Sequence, residues 1–252
     1  MKILIIGGGN MGLTYATSFL KGHVTKEADL MILEKSPERA ATLATQNVGT
    51  VFGHAEECLP YADLVILAVK PQDTSKLFNS IKPYIDPEQV FLSIMAGVKM
   101  ETIRTALGVE KIIRAMPNLP AQIGMGMTAF TSSDDVTRIE LVMVQNLINT
   151  TGKSIYVEKE SSIDAATAIS GSGPAYVFYM MQGMIDRARK MGFKESEARM
   201  LVMQTFMGSI HLLQQDDLSC EEWIRKVSSK GGTTEAALTQ FSEKEFLQAL
   251  WA

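Results

Sequence analysis

Cysteine is nearly absent: Cys58 and Cys220 are the only two in 252 residues, too few for a disulfide framework or a cysteine zinc cluster. Histidine is as scarce, and His23, His54 and His211 are scattered along the chain, which counts against a histidine-based metal site. Positive charge is in deficit. Lys and Arg total 24 against 28 Asp and Glu, a net charge of −4, so the chain lacks the basic footprint of a nucleic-acid binder. No apolar run approaches the roughly 18 residues of a membrane span. The short run before the first glycines is also too brief for a signal peptide. Internal repeats, charged runs and low-complexity linkers are missing too. These absences describe a soluble protein of a reducing compartment, the cytoplasm, with no nucleic-acid or membrane partner. What remains is ordinary globular composition, 46% hydrophobic and 21% charged, in a chain long enough to bury a sizeable core in one or two domains.

The first half alternates short apolar strands with helical stretches. Strands are predicted at residues 2–6, 29–33, 64–69, 90–94 and 111–114, with a helix at 10–21. Ser36-Pro37 opens another helix, serine at the N-cap and proline in the first turn. Leu64 to Val69 has no polar alternation, which marks a strand buried on both faces. This rhythm predicts an α/β fold with a parallel, doubly wound sheet. It stops after Tyr156-Val157. Ser161-Ser162 can cap a helix starting at Ile163, a Gly171-Ser172-Gly173-Pro174 break follows, and helices are predicted at 174–190 and 195–214. Ser219 with Glu222, and Ser242 with Glu245, have capping-box spacing. The reading is therefore a domain over residues 1–157 and an all-helical one over 158–252.

Gly7-Gly8-Gly9-Asn10-Met11-Gly12 fits G-x-G-x-x-G directly after a strand and at the head of a helix. In that setting Gly7 permits the tight turn, Gly9 lets backbone approach a pyrophosphate, and Gly12 lets helix and sheet pack closely. The N–H groups of Asn10 and Met11 then face the phosphates. A plain glycine-rich turn without ligand is the competing reading. Glu34, about 20 residues past the third glycine, stands where an acid accepts from the ribose 2′-OH of NAD. Lys35, Ser36 and Arg39 follow at once and are phosphate-binding types. The balance leans to NADPH, with NADH as the other option.

Four further segments occur in order: Ala68-Val69-Lys70-Pro71 and Arg114-Ala115-Met116-Pro117-Asn118 after strands, then Ser170-Gly171-Ser172-Gly173-Pro174-Ala175-Tyr176 and Ser229-Lys230-Gly231-Gly232-Thr233-Thr234 in the helical half. With the glycine turn they resemble the pyrroline-5-carboxylate reductase family over essentially the whole chain. The resemblance implies an N-terminal Rossmann-type domain and a helical C-terminal dimerisation domain that intertwines with its partner. It implies an NAD(P)H-dependent oxidoreductase of proline biosynthesis that reduces the C=N bond of a small cyclic imine, 1-pyrroline-5-carboxylate, to the CH–NH of L-proline, and an active site completed by a homodimer or higher homo-oligomer. Carried over by position, Gly7 to Gly12, Ala68 to Pro71 and Ala96-Gly97 line the cofactor. Ser229, Gly231, Gly232, Thr233 and Thr234 hold the substrate carboxylate, with Thr234 facing the ring nitrogen, and Ser172 lies near the substrate.

Read without the family, the same segments are weaker signals. Lys70 at a strand's carboxyl end suits phosphate or ribose, or only solvent. Gly231 to Thr234 suits a carboxylate through N–H groups, hydroxyls and a helix dipole, or is a capped loop. Gly171 to Pro174 permits close helix approach, for packing or for substrate. Tyr176 and Tyr179 read as interface or core. Met180, Met181, Met184, Met200, Met203 and Met207, among 16 methionines, read as adaptable packing in a helical core and dimer interface. Three departures from the family stand out: Lys230 replaces a usual proline, His54 lies near a usual asparagine, and the last helix stops early, at Trp251-Ala252. They keep one alternative in view, a non-catalytic nucleotide-sensing or regulatory protein of the same fold. A β-hydroxyacid dehydrogenase is a weaker rival, because no lysine or histidine occurs from Pro174 to Arg187 to polarise its substrate.

Overall fold

A computed structural model describes residues 1–251; Ala252, where the last helix was placed to stop, lies outside the described residues. Eight strands form one sheet: β1 (Ile3–Ile6), β2 (Leu30–Leu33), β3 (Thr50–Phe52), β4 (Leu64–Leu67), β5 (Val90–Ser93), β6 (Ile112–Met116), β7 (Gly126–Ser132) and β8 (Gly152–Tyr156), in the order β3-β2-β1-β4-β5-β6-β7-β8. Helices α1 (Asn10–Lys21), α2 (Pro37–Ala44), α3 (Thr74–Ile81), α4 (Met100–Leu107) and α5 (Arg138–Asn149) cover it.

Strand periodicity divides the core between the two faces. Ile3 and Ile5 of β1 pack with Tyr15 and Phe19 of α1 and Val144 and Ile148 of α5. Leu4 and Ile6, pointing the other way, pack with Phe78 and Ile81 of α3 and Ile103 and Leu107 of α4. Successive side chains point to opposite faces, so an unbroken apolar strand serves both layers. The expected double burial of β4 is met, with all four residues buried.

The pairing is parallel except between β6 and β7, which corrects the purely parallel expectation. The link from Met116 to Gly126 holds only a short 3₁₀ turn, Leu119–Ile123, and a parallel return needs a crossover of a dozen or more residues. The strand reading missed β3, β7 and the start of β8. The 3₁₀ turn Glu27–Asp29 trims the head of β2, and Val69 and Ile94 fall outside their strands.

The helical remainder comprises α6 (Ser161–Ala166), a π turn (Thr167–Gly171), α7 (Gly173–Lys190), α8 (Glu195–Gln215), α9 (Cys220–Val227), α10 (Thr233–Glu243) and α11 (Phe246–Trp251). Ser161 and Ser162 lie inside the first turn of α6 and do not cap it. The Gly171 to Pro174 segment joins the end of the π turn directly to the start of α7 and is not an open break. Ser219 and Glu222 do form a capping box. Ser242 lies within α10, and Glu245 has φ 52°, so that second pair caps nothing. The chain divides into compact units at Val177, beyond the last strand, because α6 packs against β6 and β7 and the π turn against β7.

Gly12 sits directly under the carbonyl of Gly7: a Cβ added there would lie 2.0 Å from that oxygen. The nearest atoms are Gly7 backbone, which cannot swing aside as the end of a side chain can. Gly12→Ala is therefore expected to destabilise the protein by at least about 1–3 kcal/mol, read as a lower urea midpoint. An unchanged midpoint would show that the α1–β1 packing is loose.

Candidate active site

Strand order reverses between β1 and β4, and the carboxyl ends of β1, β2 and β4 open into a crevice of about 1010 Å³. Such a switch point is where open α/β sheets bind ligands. Gly7 leaves β1 with φ 102°, and any Cβ there would press on the carbonyl of Ala68. Gly9 precedes α1 as an N-cap without a side-chain cap, and nothing lies within 4 Å of a Cβ built on it. The first-turn N–H groups of α1, from Asn10, Met11 and Gly12, thus have no capping side chain, and the ground beside Gly9 is clear. A pyrophosphate fits this cradle, since backbone can approach it and the helix dipole favours its charge.

Gly8, the unassigned position of the motif, is a glycine for another reason: a Cβ there would meet Leu43 Cδ1 at 2.2 Å. The Gly8 N–H donates to Glu34 Oε2 at 3.0 Å, and the Gly8 carbonyl accepts from Arg39 Nε at 2.8 Å. Glu34 is buried, and its other oxygen accepts from the Ser36 N–H at 2.9 Å. Ser36 caps α2 as expected, its hydroxyl accepting from the Arg39 N–H. Lys35 pairs with Asp73 at 3.1 Å on the exposed rim. Ala68, Val69, Lys70 and His54 line the same crevice, and Pro71 opens the 3₁₀ turn after β4. Ala96-Gly97 forms the turn beyond β5, one strand along, with Gly97 at φ 73°. One region of the sheet thus gathers Gly7 to Gly12, Glu34 to Ser36 and Ala68 to Pro71.

The second cluster belongs to the helical unit. Between α9 and α10 the chain turns through Gly231 at φ 76°, and Gly232 lies so close to Ser229 that a Cβ would stand 2.5 Å from its hydroxyl oxygen. The Gly232 N–H is taken by the Ser229 carbonyl at 3.0 Å. The Gly231 N–H is taken by Glu235 Oε2 at 2.6 Å. Both glycine amides expected for a carboxylate are therefore engaged within the loop. Thr233 and Thr234 open α10, whose N-cap Gly232 supplies no side-chain cap, so their N–H groups and hydroxyls are the donors this helix end offers. Glu235 was missed, although an acid three residues after an N-cap is a known helix-start signal. Lys230 makes no ion pair among the described residues. Ser172 joins the π turn to α7, its N–H bonded to the Thr167 carbonyl at 2.8 Å. Among the described residues no three His, Cys, Asp or Glu side chains group as metal ligands, and no helix is long and apolar enough to cross a membrane.

Comparison with known proteins bears on the same segments. Residues 2–97 match the family model for NADP oxidoreductase, coenzyme F420-dependent, and residues 160–252 match that for pyrroline-5-carboxylate reductase dimerisation. Pyrroline-5-carboxylate reductase 2 of Bacillus subtilis is 34% identical across 99% of this chain and 90% of its own length. Pyrroline-5-carboxylate reductase of Aquifex aeolicus is 35% identical across 98% and 91%. The crystal structure of Plasmodium falciparum pyrroline carboxylate reductase with NADP bound superposes with a TM-score of 0.90 at 27% identity, covering 100% of this chain and 93% of that one. Nothing among these relatives favours a regulatory protein of the same fold. Matched from its glycine turn to its last helices, the chain belongs to the pyrroline-5-carboxylate reductase family.

Proposed function

We propose that this protein reduces the C=N bond of 1-pyrroline-5-carboxylate to give L-proline, with NADPH as its preferred donor. The observation that carries this reading is an uncapped helix head over clear ground at Gly9, in a chain that such reductases match along nearly their whole length. In this reading residues 1–157 bind the dinucleotide and residues 158–252 carry the substrate loop and the dimer contacts. Gly7, Gly9, Asn10, Met11 and Gly12 hold the pyrophosphate. Ala68 to Pro71 and Ala96-Gly97 flank the rest of the cofactor. When bound, the reduced nicotinamide supplies the hydride.

Two observations support NADPH over NADH. Both oxygens of Glu34 are already engaged by backbone N–H groups, which turns the acid from a ribose acceptor into a brace for the turn. Lys35, Ser36 and Arg39 surround the same end of the crevice with donors suited to a 2′-phosphate. The relative solved with NADP bound agrees with this preference.

The substrate needs orientation more than acid catalysis. Its nitrogen gains electron density as the carbon is reduced, and the Thr234 hydroxyl donates a hydrogen bond to it. The Thr233 and Thr234 N–H groups and Ser229 hold the carboxylate, while Gly231 and Gly232 give the loop its shape. Ser172 contributes from the head of α7. Positioning of this kind accounts for the absence of a histidine or carboxylate pair at the loop.

The helical unit also calls for a second copy of the chain. Among the described residues after Val177, Ile185, Ala198 and Val202 form the buried core, while Phe178, Tyr179, Met200 and Met207 are at least half exposed. So much uncovered apolar surface on long helices marks an association face, and a homodimer covers it.

Three outcomes are expected. Purified protein oxidises NAD(P)H when given the imine, faster in kcat/KM with NADPH, and Glu34→Ala lowers kcat/KM with both donors by roughly 10- to 150-fold. A strong NADH preference that Glu34→Ala abolishes would reverse the assignment of Glu34. Thr234→Val lowers kcat/KM for the imine by roughly 10- to 150-fold and leaves NADPH affinity unchanged; a change under about twofold removes Thr234 from the reaction. Light scattering at assay concentration gives a dimer or a larger assembly, and an active monomer contradicts the oligomer.

A further inference from the structure

Arg114, Met116 and Asn118 stand two residues apart at the carboxyl end of β6, the spacing that puts side chains on one face of a strand. All three meet the same neighbour. Arg114 is 1% exposed, and its guanidinium bonds Glu160 at 3.0 Å and Asp164 at 2.6 Å, both on the α6 side. Met116 Cε lies 2.8 Å from where a Cβ on Gly171 would be, so the π turn packs on it at glycine distance. Asn118 Nδ2 donates to the Ser170 carbonyl at 3.0 Å, while its Oδ1 accepts from the Met127 N–H at 2.9 Å. The segment therefore grips α6 at its start and the π turn at its end.

The grip reaches the cofactor side as well. The same Glu160 oxygen that pairs with Arg114 accepts from the Met100 N–H at 2.8 Å, at the head of α4 just past the Ala96-Gly97 turn. A buried guanidinium is costly unless paired; here both terminal nitrogens are paired and Nε has no hydrogen-bond partner, and a π turn is an insertion that recurs at functional sites. Here the turn ends at Gly171, and Ser172 and the head of α7 follow at once.

We propose that Asn118 and the Arg114–Glu160–Asp164 cluster are positioning residues for the reduction. They hold the π turn, and through it Ser172 and the start of α7, in register with the turn that carries Ala96 and Gly97. Neither Asn118 nor the cluster touches the substrate; they set its orientation to the hydride donor. This rests on the imine-reductase reading above.

The test compares wild type with Asn118→Asp, which keeps the size and the acceptor to Met127 but sets a carboxylate oxygen against the Ser170 carbonyl, and with Glu160→Gln, which keeps an acceptor for Met100 and removes the charge facing Arg114. Steady-state kinetics with the imine, NADPH titration by fluorescence and thermal melting are measured on each full-length protein. Asn118→Asp is expected to lower kcat about 10- to 100-fold, the cost of a small misplacement, with the imine KM within about threefold and NADPH affinity within about twofold. Glu160→Gln moves kcat in the same direction. A folded Asn118→Asp protein with kcat within twofold of wild type overturns the proposal. So does a kcat loss matched by an equal loss of folded protein on melting, which assigns the contacts to stability alone. If wild type itself does not turn over the imine, the functional reading falls first and the positioning role falls with it.

Discussion

Both backbone polar groups of Gly8 are held from the neighbouring βα unit: the N–H by Glu34 at the end of β2 and the carbonyl by Arg39 in α2. The rest of the nucleotide crevice depends on this clamp. It fixes the glycine turn, the turn fixes the head of α1, and Gly12 then seats α1 against the Gly7 carbonyl with no room to shift. One buried carboxylate and one guanidinium thereby set the floor of the cradle proposed for the pyrophosphate. They also tie it to Lys35 and Ser36 at the β2 end of the crevice. A charge that looks like a specificity element in sequence is spent on holding backbone in place.

The two parts of the chain are built on different terms. The sheet unit closes its own core on both faces, with unbroken apolar strands feeding two separate clusters. Among its described residues the helical unit buries three in its core and leaves long apolar faces open. Hydrophobic stabilisation scales with area removed from water, so the first unit covers its own core, while the open faces of the second fit the association proposed for it. Methionine suits that task, because a flexible, polarisable side chain adapts to a partner's surface.

At the Gly231 to Thr234 loop the arrangement of donors is narrower than its composition suggests. Glu235 and the Ser229 carbonyl engage the two glycine amides, so the glycines shape the turn and the threonines present the free groups. In the proposed reading as an anion-binding helix start, the work passes two residues down the chain.

Much of this was legible in residue order. The unbroken strands, the Ser36-Pro37 start of α2, the α1 boundaries and the glycine motif follow from local sterics and periodicity, and the structure has them where they were expected. A close approach at Gly171 was also readable, and the structure packs Met116 Cε against it. Strands β3 and β7 were not legible, since a three-residue edge strand and an antiparallel return draw their identity from the neighbours they pair with. Nor could the chain order reveal that Glu34 faces Gly8, that Arg114 reaches Glu160 and Asp164, or that Asn118 holds the π turn. Those contacts join residues 26 to 52 positions apart. A side chain's partner at that range is set by which strand ends the sheet brings together, a property of the folded chain and not of any segment of it.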